Sequence, residues 1–273
     1  MRCLLALLFA LSAYAAPVPI FDGKSLAGWE GDAAWWRVED GEIRGGSSTV
    51  KVPKNFFLAT EKSYQNFDLR VKLRLTGTGF VNSGIQMRSV RVPNSSEMSG
   101  YQVDYGKGWY GKIYDESRRN KVIAESKDAA VVLATVKEGE WNEYRILAEG
   151  NRIRSWVNGV PALDYLETEP NIAADGKIGI QIHSGGMAVI QAKDITIEEL
   201  PVTPGALTWD KVKPAEKKAE PAKAAPAKRD TSYNNVQGVR RTAEEQQKLF
   251  KLPEGFEIEL FAKESADFGK FIM

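Results

Sequence analysis

A chain of 273 residues, 43% hydrophobic and 27% charged, is ordinary globular material with room for one or two domains. Its formal net charge of +1 excludes a nucleic-acid partner held by bulk electrostatics, and no aromatic-basic RNA motif is present. One cysteine and one histidine leave little room for thiolate or multi-histidine metal chemistry.

The first residues, MRCLLALLFALSAYAA, read as a secretory signal peptide over residues 1–16. Arg2 supplies the charged start, Leu4 to Leu11 is an apolar run too short to span a bilayer, and Ala13-Tyr14-Ala15 fits a small-x-small cleavage site. Cleavage is expected after Ala15 or Ala16, with an uncleaved anchor as the alternative, which makes the protein exported, periplasmic or extracellular. Cys3 precedes the apolar run, so it is no lipoprotein cysteine, and its loss leaves a mature chain without disulfides or thiolate metal sites.

From Pro17 the chain reads as short strands with turn punctuation. Trp35 to Glu39 and Glu42 to Arg44 flank Asp40-Gly41, a hairpin turn. Leu69, Val71, Leu73 and Leu75 alternate with Arg70, Lys72 and Arg74, the mark of a strand with one face in solvent. Val131-Val132-Leu133 reads as a strand, and Asn158-Gly159 closes another hairpin after Asn151 to Val157. Lys177 to His183 and Ala188 to Glu199 complete the set, and no sustained helical period occurs up to Leu200. Regularly spaced strands of this kind imply an all-β, antiparallel sandwich over residues 17–200, supporting four Trp (Trp35, Trp36, Trp141 and Trp156) in a core. Beyond Pro201 the composition turns to Lys, Ala, Pro and Glu, so residues 201–232 are expected to be a disordered linker. Thr242 caps an expected short helix ending at Phe250, and Glu257 to Phe261 reads as a strand, so residues 233–273 look like the truncated start of a second domain.

The stretch that organises the sandwich runs from Asn82 to Glu116. Alternation puts Ile85, Met87 and Val103 inside and Gln86, Arg88, Gln102 and Asp104 on a face expected to be unburied. A row of amide, guanidinium and carboxylate groups suits sugar binding. The same parity adds Gln181 and His183 from GIQIHSGG, if these strands share a sheet. His183 reads either as a solvent-facing histidine at a strand end or as a general acid or base. Asp104, set among Tyr101, Tyr105, Trp109, Tyr110 and Tyr114, reads either as a carboxyl with a raised pKa suited to acid work or as the partner of Arg88 in a cross-strand ion pair. Glu116 is a second candidate acid or a solvated loop charge, and Trp109 between glycines is a stacking platform or ordinary packing. Asp104, Glu116 and His183 together could hold a divalent metal ion, although no established metal, nucleotide or phosphate motif is present.

The ordered motifs FDGKSLAGWEG, NFDLRVKLRL, NSGIQMRS, GYQVDYG to GKIYDES, WNEYRILAEGNRIRSWVNGV and GKIGIQIHSGG resemble the 3-keto-disaccharide hydrolase family over residues 18–199. The family is also described as 3-keto-glucoside-1,2-lyase and 3-keto-2-hydroxy-glucal hydratase. The resemblance implies a concanavalin A-like jelly roll of two antiparallel sheets and cleavage of 3-keto-glycosides. Where many members carry an aromatic-Arg-Asn strand after the histidine loop, this chain has Val189 to Asp194. On that chemistry His183 is assigned as base, Arg88 with Gln86 as oxyanion donors, and Asp104 or Glu116 as acid. Gln102, Trp109, Tyr114 and Gln181 are assigned to substrate binding. The tail from Tyr233 through KLPEGFEIELFAKE is similar to the start of haem-bearing dehydrogenase-like proteins of planctomycete type, which implies a dehydrogenase or haem-domain partner. Since one sandwich fold hosts enzymes and lectins alike, a non-catalytic carbohydrate-binding module and a scaffold for such a partner are the rival readings.

Overall fold

Alternation sorts the side chains of the long strands into two layers in the computed structural model, which describes residues 16–212. The strands begin with β1 (Val18–Pro19), β2 (Trp29–Glu30), β3 (Trp36–Glu39), β4 (Glu42–Gly46) and β5 (Phe56–Tyr64). Then come β6 (Phe67–Gly79), β7 (Asn82–Arg91), β8 (Met98–Gly106), β9 (Lys112–Glu116) and β10 (Val122–Glu125). After the helix α1 (Ala129–Thr135) follow β11 (Asn142–Glu149), β12 (Arg152–Val157), β13 (Val160–Leu166), β14 (Gly176–Ile182) and β15 (Gly186–Glu199).

All pairings are antiparallel, and they make two sheets. The eight-stranded sheet runs β13-β12-β11-β6-β15-β4-β3, with β1 pairing β15, and the seven-stranded sheet runs β10-β9-β8-β7-β14-β5-β2. This is the expected jelly-roll sandwich. Leu69, Val71, Leu73 and Leu75 of β6 and Ile190, Ala192 and Ile197 of β15 meet Leu58, Ile85, Met87, Val103, Ile180 and Ile182 of the other sheet in one core. Each fully buried aliphatic side chain there contributes roughly 1.5–3 kcal/mol relative to exposure, and no disulfide is needed. The two hairpins behave as read: Asp40-Gly41 (φ 54° and 75°) and Asn158-Gly159 (φ 49° and 81°) both have the paired positive φ that a type I′ turn requires.

Four expectations are corrected. Val131-Val132-Leu133 lies in α1, because Val131 and Val132 find no strand to pair with and donate instead to Asp128 O; only Val132 is buried. Of the four Trp, Trp36 is a core residue, whereas Trp141 and Trp156 are half-buried on the outer face of the larger sheet. Trp141 lies beneath Arg74 and Lys193, and Trp156 beneath Arg145. Residues 201–212, assigned to the linker by composition, are held against the sandwich: Asn66 Nδ2 donates to Pro201 O and Thr203 Oγ1, Ala174 N to Leu207 O, and Trp209 Nε1 to Arg88 O. The expected signal segment before Ala16, the remainder of the linker, the Thr242-capped helix and the Glu257–Phe261 strand lie outside the described residues.

The fourth correction concerns Arg88. Its φ of 47° and a register shift between Met87 and Val90 mark a bulge in β7, which takes its side chain out of the alternation. Arg88 is 2% exposed and clamps turns, donating to Gln65 O (2.8 Å), Gly150 O (2.6 Å) and Asn66 Oδ1 (3.0 Å). Burial lowers its pKa to about 10. It is neither an oxyanion donor nor the ion-pair partner of Asp104. Arg88→Met keeps the volume but leaves those three acceptors short of a donor, so urea unfolding should show a loss of about 3 kcal/mol; an unchanged midpoint with lost ligand binding would return Arg88 to the site.

Candidate active site on the seven-stranded sheet

The face of β7, β8 and β14 turned away from the core carries two cross-strand rows. One runs Gln181, Gly84, Asp104; the other runs Gly179, Gln86, Gln102, Tyr114. The shared face read from alternation is therefore correct for Gln86, Gln102, Asp104 and Gln181. The expectation that it is unburied is not: these four are at most 2% exposed. Two features bury them. The long side chains lie flat across glycine gaps, since a Cβ at Gly84 would stand 2.6 Å from Gln102 Cγ. Phe80, Trp109 and His183, from segments beside the strands, then stand around the opening, which measures about 140 Å³ and is also lined by Asn82, Gln102, Asp104, Tyr114 and Glu116.

An amide chain links the two carboxyl groups. Gln102 Nε2 donates to Asp104 Oδ1 (3.0 Å) and to Gln181 Oε1 (3.3 Å), and Gln181 Nε2 donates to Glu116 Oε2 (3.4 Å). Asp104 Oδ2, Gln102 Oε1 and Gln86 Oε1 are buried without a hydrogen-bond partner. An ionised carboxylate with one bare oxygen in such surroundings is expensive, so the proton stays on. Burial pushes Asp104 up to about 8, against the opposing bond from Gln102. Burial, then the charge of Glu97, pushes Glu116 up to about 7. Both are placed to be protonated near neutral pH, and Asp104 Oδ2 is a donor with nothing to donate to.

His183 follows β14 and is half-buried, its backbone N–H bonded to Asn82 O. Its Nδ1 lies 2.8 Å from Ser184 O. A carbonyl only accepts, so Nδ1 carries the proton and the neutral ring keeps its lone pair on Nε2. Phe80 packs edge-on against the ring at 4.7 Å between centroids. Asn55 ties this loop down, accepting from Ser184 N (2.9 Å) and reaching Glu97 with Nδ2 (3.5 Å). Trp109 is fixed by its bond to Gly106 O, by an edge contact with Tyr114 and by Lys112 over its ring.

The structure thus gathers Gln102, Asp104, Trp109, Tyr114, Glu116 and His183 around one pocket, with Gln181 bonded to its floor. Gln86 sits beside Gln102 but does not line the opening, and reaches only Gly100 O at 3.4 Å. Arg88 is absent for the reason given above. Among the described residues no group of three or more carboxylate, histidine or cysteine side chains is disposed to hold a metal ion. Sequence reading misses Asn82, Phe80 and Glu97. Asn82 shares the parity of Gln86 and is within reach of the alternation argument; an exposed Phe in a turn and a loop Glu carry no signal.

A two-sheet antiparallel sandwich with a small pocket of two carboxyls and an imidazole on one sheet face defines the class of protein. Residues 16–198, more than half of the chain, match the 3-keto-alpha-glucoside-1,2-lyase-like domain, and the chain belongs to that family. Among solved structures, a candidate glycosyl hydrolase from Parabacteroides distasonis matches at 20% identity and TM-score 0.51, over 68% of this chain and 94% of that one. A Bacillus subtilis protein of unknown function with a galectin-like fold matches at 11% identity and TM-score 0.50, over 70% and 99%. At these identities the likeness is one of fold. No curated protein matches the chain.

Both carboxyls have folded pKa values above their ordinary 3.8 and 4.5, so the folded state holds protons that the unfolded chain releases. Their contribution is complete below about pH 4 and is lost as pH rises through about 7 and 8. Each group gives a slope of up to about 1.4 kcal/mol per pH unit inside its window. Unfolding free energies from about pH 5 to pH 9 should fall less steeply in Asp104→Asn than in the wild type; identical slopes would place the raised pKa elsewhere. Gly84→Ala drives Gln102 off both partners, and its unfolding free energy should drop by about 1–3 kcal/mol.

Proposed function

We propose that the pocket cleaves 3-keto-glycosides by 1,2-elimination followed by hydration. The carrying observation is the pairing, in one small pocket, of a carboxyl whose pKa is raised by burial with an imidazole whose Nδ1 is committed to Ser184 O, which leaves Nε2 as its accepting nitrogen. A ketone at C3 acidifies the hydrogen on C2. His183 Nε2 takes that proton and negative charge develops on O3. The electrons then form the C1–C2 double bond, the C1–O bond breaks, and Asp104 Oδ2 gives its proton to the departing oxygen. Water adds to the product with the flow reversed: Asp104 takes a proton from the water that attacks C1, and the imidazolium returns one to C2.

With Arg88 elsewhere, the pocket-lining groups able to donate to O3 are the Asn82 amide and the Tyr114 hydroxyl. Glu116, joined to Asp104 through the amide chain, is the second acid of the site, and its raised pKa keeps a negative charge from forming beside the departing group. Gln102 Oε1 is free to accept from a sugar hydroxyl. The carbohydrate ligand is supported by the family and by the Trp109 and Phe80 rings at the rim.

Nuclear magnetic resonance of the protein with methyl 3-keto-glucoside should show methanol release through a 2-hydroxy-glucal intermediate. His183→Ala and Asp104→Asn should each lower kcat by about 10²–10⁴. The wild-type rate should fall above about pH 8 as Asp104 ionises. Binding without turnover would leave a carbohydrate-binding module.

A further inference from the structure

We propose that Asn55 and Glu97 set which ring nitrogen of His183 is free, and so act as positioning residues for the base. The proposal rests on the elimination reading above and adds to it what holds the ring ready. His183, Ser184 and Gly185 form the short link that carries the chain from β14 in one sheet to β15 in the other. The connection from β4 to β5 makes the same crossing beside it, and the two are zipped together. Val52 N–H donates to Gly186 O and Val52 O accepts from Gly185 N–H, both at 2.9 Å. Asn55 Oδ1 accepts from Ser184 N–H, also at 2.9 Å. Both peptides that flank Ser184 are therefore held from outside the link, and the Ser184 carbonyl stands 2.8 Å from His183 Nδ1.

The Asn55 amide can serve only one way round. A backbone N–H donates and never accepts, so the side facing Ser184 must be Oδ1. Nδ2 then needs an acceptor, and it reaches Glu97 Oε2 at 3.5 Å. Among the described residues Asn55 is the one hydrogen-bond partner of the Glu97 carboxyl, which forms no ion pair. Turned over, the amide would set Nδ2 against Ser184 N–H, donor against donor. Glu97, in the connection just before β8, thus acts on His183 through Asn55 and Ser184. Burial raises the Glu97 pKa, while the Asn55 bond and then the charge of His183 draw it back, so the two ends of this relay also meet electrostatically. A ring freed from the Ser184 carbonyl takes its proton on either nitrogen, and with the proton on Nε2 it has no lone pair to offer the hydrogen on C2.

The chain has a single histidine, so the ring-nitrogen resonances of the isotope-labelled full chain in alkaline buffer belong to His183 alone. The wild type should show a protonated Nδ1 and a bare Nε2. Asn55→Leu and Glu97→Leu should each give a mixture of the two forms, and with methyl 3-keto-glucoside their kcat should fall about 10–100-fold at little changed KM. Glu97→Gln keeps an acceptor for Asn55 Nδ2 and should keep the wild-type ring signals. A tie that merely anchors the loop predicts the wild-type signals in every variant that folds. A wild-type ring protonated on Nε2 overturns the proposal without any variant. Unchanged ring signals in either leucine variant that folds, or a mixture in Glu97→Gln, overturn it as well. If no glycoside is turned over, the elimination reading falls, and the ring signals alone still judge what Asn55 and Glu97 do.

Discussion

Asp104 is 2% exposed, with one carboxyl oxygen bonded to Gln102 and the other bonded to nothing. That imbalance governs the region around it. A carboxylate in that position would lack half of its solvation, so the neutral acid is the stable form and the pKa rises. Keeping it there requires a floor that contributes no compensating cation. Lys112 is the nearest positive influence, and it is drawn over the Trp109 ring. The floor also needs room for amides to lie flat, which is why Gly84 stands between Gln181 and Asp104, and Gly179 beside Gln86. Acid, amide chain and glycine gaps are three consequences of one requirement.

The rest of the molecule treats buried charge in the opposite way. Asp115, fully buried in β9, is ion-paired by both Arg118 and Arg119, and Arg119 continues to Glu167, which also accepts from the hydroxyls of Tyr101 and Tyr165. Arg88 has no carboxylate, yet every part of its guanidinium meets a carbonyl or amide oxygen. Paired charges of this kind fix register and hold turns, and taking away one partner is destabilising. They offer nothing to a ligand. Gln86 Oε1, Gln102 Oε1 and Asp104 Oδ2 are buried without a hydrogen-bond partner on one sheet face, and they bring two free acceptors and an unpaired carboxyl oxygen together there.

Period-two alternation makes most of this legible in the amino-acid sequence. It places Leu69 to Leu75 in the core, the two Asx-Gly hairpins at their turns, and Gln86, Gln102, Asp104 and Gln181 on one face. It fails where the backbone leaves the pleat. Arg88 carries the parity of Gln86, but a non-glycine residue at positive φ inside a strand has no residue-type signature, so a bulge that redirects one side chain is invisible to alternation. Burial of the polar face is hidden for a different reason. Alternation tells which face a residue occupies and is silent on what loops cover, and Phe80, Trp109 and His183 arrive from three separate connections. Val131 to Leu133 reads falsely as a strand because β-branched residues favour strands only when a neighbour is available to complete the ladder.

A floor made of strands has a consequence for a two-step reaction. In the proposed elimination and hydration, the same two groups would exchange roles, each giving up in the second step the proton state it took in the first. Loops that rearranged between the steps would have to restore both distances. Here Asp104 is fixed by β8 and further held through its carbonyl, which accepts from the Tyr144 hydroxyl of the opposite sheet, while His183 hangs directly from the end of β14 with Nδ1 committed to Ser184. Neither group depends on the other for its position, and the amide chain keeps the second carboxyl in register with the first. A proton could therefore be exchanged at either end without moving the frame of the pocket, which is the condition the proposed two-step reaction sets for one small site.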